Sequence, residues 1–169
     1  FLASLKFECG WNIVSYTSIW NGCSIFSLLI LMKHKIFVYG TLKKGFYNNK
    51  YLATSKFIAP AKTTRKFSLC IGGPYRGPYM FKDSKGHMIP GEIYRVTKKT
   101  LKNLDKLEGV PSKRNIRRRI RAKRKGRKSE TCWAWINPKK CRCRRYKAYT
   151  RKLHKRFLTP RKKPRKSSS

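Results

Sequence analysis

The chain has 169 residues, enough for one domain of ordinary size with extensions, and its 44 Lys and Arg against 6 Asp and Glu leave a net charge of +38. That charge is graded, with net 0 over residues 1–32, +13 over 33–111 and +25 over 112–169. Such a balance excludes a self-standing core beyond residue 138 and points to acidic substrates or polyanions as partners.

Residues 1–32 are apolar but poorly patterned. Their longest apolar run, 25–32, is broken by Ser27 and falls short of the ~20 residues that span a membrane. No clear signal peptide is present. Met32 reads as the natural start, which makes 1–32 an upstream extension; an interfacial anchor or a processed targeting segment is the alternative.

Residues 35–42, KIFVYGTL, run a short strand straight into a glycine turn. Ile36, Phe37 and Val38 form the strand, and Gly40 permits backbone geometry that other residues resist. Exposed amides in such a turn, with the Thr41 hydroxyl and the Tyr39 phenol, can bind a carboxylate or another small anion. A plain β-turn is the alternative reading.

Residues 51–57 suit a short helix or strand, and 67–71 read as a strand closed by Gly72, Gly73 and Pro74. Gly77, Pro78 and Tyr79 introduce Met80 and Phe81, and 83–86 form a turn. Residues 87–96 are the following strand, with His87 a strand or surface histidine. Thr97 can cap a helix that Gly109 and Pro111 end. At about 100° per residue Leu101, Leu104 and Leu107 share one arc and Lys102, Asn103 and Lys106 the other. Glu108 falls beside Leu101, inside the apolar arc. A carboxylate aimed at an interior or a cleft is desolvated, which raises its pKa toward the range useful for proton transfer near neutral pH. A helix-end glutamate paired with a nearby cation is the alternative.

Beyond the helix, 112–128 hold only Ile116, Ile120 and Ala122 as apolar residues among arginines and lysines. The segment 131–136, TCWAWI, is the last strand, with its two tryptophans on one face. From residue 138 onward the chain is cationic with Tyr146, Tyr149 and Phe157 interleaved, which predicts a disordered tail able to bind nucleic acid or other polyanions nonspecifically. The six cysteines make neither a disulfide framework nor a metal site, so free thiols, no metal and an intracellular, cytoplasmic setting are expected.

The strings VYGTLKKG, GEIYRV, LDKLEG and AWI, in that order, resemble the gamma-glutamylcyclotransferase superfamily, most closely its gamma-glutamylamine cyclotransferase-like branch, over residues 35–137. The resemblance implies an α+β domain over 33–137: a small mixed sheet curled into a partial barrel with flanking helices, between a 1–32 extension and a basic 138–169 tail. It also implies an enzyme without cofactor that releases 5-oxoproline and a free amine from a small gamma-glutamyl amine or dipeptide. Glu108 would be its catalytic acid/base, and Tyr39, Gly40, Thr41 and Leu42 would bind the substrate carboxylate. A monomer without a membrane span is expected. One departure stands out, since Arg114 occupies the place where this branch carries a tyrosine. The competing expectation is a cyclotransferase-like scaffold bound to RNA or a ribosome-like particle through its basic zone.

Overall fold

Strand β1, His34–Val38, sets the architecture because both of its faces are covered. Ile36 and Val38 point to one side and Phe37 to the other, and all three are buried. The computed structural model describes residues 32–72, 77–110, 115–139 and 144–158, which lie in one compact unit beginning at Met32. The 1–31 segment and the tail beyond residue 158 lie outside the described residues.

After β1 the described elements are a 3-10 helix, Tyr47–Leu52, β2, Lys56–Thr63, β3, Phe67–Gly72, and β4, Gly77–Lys82. They continue with β5, Pro90–Val96, α1, Lys98–Leu107, β6, Ile116–Lys123, β7, Glu130–Ile136, and α2, Arg151–Leu158. Five strands close a barrel in the order β1-β5-β2-β6-β7. Every pairing is antiparallel except β1 with β7, where Ile36 lies beside Trp133 in parallel. The expected mixed barrel is therefore a closed one.

Phe37, Ile93, Ile120, Cys132 and Ala134 fill the barrel interior. Ile36, Val38, Tyr94, Val96 and Trp135 face outward and are roofed by Leu101 and Leu104 of α1 and Leu52 of the 3-10 helix. Thr97 caps α1 as expected, accepting from the Thr100 N–H at 3.1 Å. Gly109 follows with φ +71°, the left-handed conformation glycine favours. β3 and β4 form a separate hairpin tied to the barrel through Asn137 N–H to the Met80 carbonyl.

Two expectations need correction, and one stretch without an expected element proves to be a strand. Residues 116–123, among the cations, form a full barrel strand, because Ile120 and Ala122 alternate inward while arginines alternate outward. The described part of the basic tail is also ordered on the domain. Tyr146 N–H bonds the Leu69 carbonyl at 2.7 Å, and Tyr149, 2% exposed, joins the core beside Phe46. Lys43 Nζ bonds the Tyr149 carbonyl, and His154 Nδ1 meets the Tyr149 hydroxyl, both at 2.7 Å. The aromatic residues interleaved with the charges thus supply the apolar anchors that composition alone obscured. Finally, Cys70 is disulfide-bonded rather than free, while Cys132 is a buried free thiol.

Candidate active site

The turn after β1 and the end of α1 meet over one cavity of about 580 Å³. Tyr39, Gly40, Thr41 and Leu42 line one wall and Leu107, Glu108 and Gly109 the other. Gly77, Pro78 and Tyr79 of β4 form a third side, and Trp135 of β7 also contributes. All five residues singled out in the sequence therefore border the same space.

The turn differs in detail from the expectation. Lys43 N–H closes it by bonding the Gly40 carbonyl at 3.1 Å. Among the described residues no acceptor is paired with the N–H groups of Gly40, Thr41 or Leu42. Three successive donors left open in this way suit an anion. Glycine is required at 40 by proximity and not by φ: a Cβ there would sit 2.5 Å from Pro78 Cγ, and the positive φ belongs to Gly45 instead. The Tyr39 phenol is turned inward and donates to the Trp135 carbonyl at 2.8 Å. Burial, then the Glu108 charge, push its pKa well above the usual tyrosine value, so it stays a neutral tether. The Thr41 hydroxyl accepts from Asn48 Nδ2 at 3.0 Å, which leaves its own proton to donate.

Glu108 ends α1, its N–H still bonded to the Leu104 carbonyl at 2.9 Å. The position carries the side chain off the lysine face and into the cavity. Among the described carboxylates Asp83, Asp105 and Glu130 are ion-paired, and Glu92 accepts from Lys44 N–H and the Tyr94 hydroxyl. Glu108 has no ion pair among the described residues. Among the described residues its Oε2 faces only Asn115 Nδ2, at 3.5 Å, and burial raises its pKa from 4.5 to about 7.

Sequence reasoning passed over Asn115. It is 5% exposed, lines the cavity and donates Nδ2 to the Glu108 carbonyl at 3.1 Å. Its place seven residues after Glu108, inside a run of cations, offered no signal of that role. Asp105 was missed as well: it accepts from the Trp135 indole N–H at 3.0 Å and pairs with Arg117, which fixes one wall of the cavity. Arg114 lies outside the described residues. Among the described residues no group of three His, Cys, Asp or Glu could hold a metal, and no helix is long and apolar enough to cross a membrane.

Residues 36–155 match the sequence profile of the family described as gamma-glutamyl cyclotransferase, AIG2-like. A candidate gamma-glutamylcyclotransferase of Methanocaldococcus jannaschii is 37% identical over 107 residues, 63% of this chain and 86% of that protein. The gamma-glutamylaminecyclotransferase of Rattus norvegicus is 40% identical over 83 residues, 46% of this chain but 56% of that protein. The crystal structure of an AIG2-like protein from Mus musculus superposes with a TM-score of 0.63 at 28% identity, covering 69% of this chain and 88% of that one.

Proposed function

The chain belongs to the gamma-glutamyl cyclotransferase, AIG2-like family of enzymes, and on that premise we propose that it releases 5-oxoproline and a free amine from a small gamma-glutamyl amine or dipeptide. One observation supports this reading above the others. A desolvated carboxyl with a pKa of about 7 shares a 580 Å³ cavity with three open backbone donors.

A gamma-glutamyl compound carries its own nucleophile, the α-amino group, so the protein need not supply one. It must fold the substrate on itself, which raises the effective concentration of amine at the γ-carbonyl, and it must move a proton. The open N–H groups of Gly40, Thr41 and Leu42 would hold the α-carboxylate, with the Thr41 hydroxyl beside them. Glu108 would take a proton from the α-ammonium; the freed amine attacks the γ-carbonyl carbon and closes a five-membered ring. As the bond to the departing amine breaks, Glu108 returns the proton to that nitrogen; it then takes the second proton of the ring nitrogen, which leaves the lactam N–H, and passes it to the amine, which departs as an ammonium. A carboxyl poised near pH 7 is suited to both transfers. Tyr39 serves by tethering the turn to β7.

The test is 5-oxoproline release from gamma-glutamyl-lysine and gamma-glutamyl-alanine, wild type beside Glu108→Gln. Turnover that disappears in the variant supports the reading, and a folded wild type without turnover on either substrate sinks it. A monomer acting in the cytoplasm belongs to the same proposal.

A further inference from the structure

β6 presents Arg117, Arg119, Arg121 and Lys123 on the outer face of the barrel, in a row about 20 Å long. Their inward neighbours Ile120 and Ala122 are buried, which fixes that orientation. Of the four, only Arg117 meets a carboxylate, Asp105, among the described residues. Arg119, Arg121 and Lys123 are exposed, and Lys62 of β2 lies directly across from Lys123. Like charges opposite one another in a sheet cost stability, and among the described residues neither Lys62 nor Lys123 has an ion pair that offsets that cost.

Beside the row stands Trp133 of β7, in register with Arg119. The guanidiniums of Arg117 and Arg119 each lie 4.9 Å from the centre of its ring. The indole therefore holds two cationic heads in place before any partner arrives, which lowers the ordering cost of binding. None of these residues lines the cavity.

We propose that this outer face of β6 and β7 is a binding surface for single-stranded nucleic acid, with Arg119, Arg121 and Lys123 on the phosphates and the Trp133 and arginine planes as the stacking platform for a base. A row of fixed cations needs a polyanion, and an aromatic ring among them favours one that carries bases over one that carries charge alone. The surface is built from barrel strands, outside the cavity, and is independent of the cyclotransferase chemistry.

The experiment is fluorescence anisotropy of the full chain with a labelled oligouridylate, titrated across salt concentration. An abasic strand of equal length and heparin serve as comparison polyanions. Neutralising three contacts, in Arg119→Gln with Arg121→Gln and Lys123→Gln, is expected to reduce the salt slope by about 2 and to weaken binding about a hundredfold near 0.1 M salt. A second variant carries glutamine at Arg161, Lys162, Lys163, Arg165 and Lys166, and it should retain the slope contributed by the barrel face. Thermal melts report that both variants fold. The oligouridylate should bind at least about fivefold tighter than the abasic strand, and Trp133→Leu should erase that ratio. The proposal is overturned if the strand variant binds like wild type while the tail variant loses binding. It is equally overturned if the abasic strand or heparin competes as well as the oligouridylate, which would mark a surface for charge alone.

Discussion

Replacing Glu108 with glutamine should make the protein more stable at alkaline pH while abolishing turnover. Burial lifts this carboxyl from 4.5 to about 7. At ~1.4 kcal/mol for each tenfold in acidity, ionising it inside the folded chain costs about 3 kcal/mol. The folded chain keeps the proton until about pH 7, whereas the unfolded chain releases it near 4.5. Between those values the unfolded state binds fewer protons, so stability falls as pH rises. The penalty is absent below that window and complete above it. Glutamine never ionises, so the variant and the wild type should unfold alike in urea at pH 4, and the variant should lead by up to about 3 kcal/mol at pH 8. Other titrating groups are common to both chains and cancel in the difference. The same proton sets the rate: wild-type kcat/KM should climb about tenfold per pH unit below about pH 7 and level off above it. A stability difference that stays flat between pH 4 and 8 would refute the assignment of a buried, neutral carboxyl at this position.

Gly40→Ala places a methyl 2.5 Å from Pro78 Cγ, so one cavity wall must shift; kcat/KM should fall about tenfold to a hundredfold with a small change in melting temperature. Asp105→Ala leaves the Trp135 indole N–H without its acceptor and Arg117 without its ion pair. It should cost about 2 kcal/mol in urea unfolding. Tyr149→Ala empties a core position that is 2% exposed and should cost about 3 kcal/mol by the same measurement. A disordered tail predicts no cost at all.

Local patterns in the sequence carried further than its composition did. A β-branched strand entering a glycine turn, a threonine-capped helix with leucines on one arc, and a glutamate out of place on that arc are properties of neighbouring residues. They show in the chain because helix and strand periods act over a few positions. The 116–123 strand carried the same alternation, yet three arginines on the exposed face hid two apolar residues on the other. Composition is a sum over both faces, and a barrel strand is defined by the difference between them.

What the tertiary structure decided is which of these pieces touch. Parallel closure of β1 on β7 sets Tyr39 against Trp135, 96 positions away, and turns the phenol from the substrate side to a tether. It was the packing of α1 over the outside of β1 and β7 that brought Glu108 to the open amides of the turn. Asn115, Asp105 and the docked α2 segment acquire their roles only through such contacts. Periodicity tells a residue which face it occupies, but the neighbour on that face is selected by barrel closure and register across the whole chain, and no local pattern encodes it.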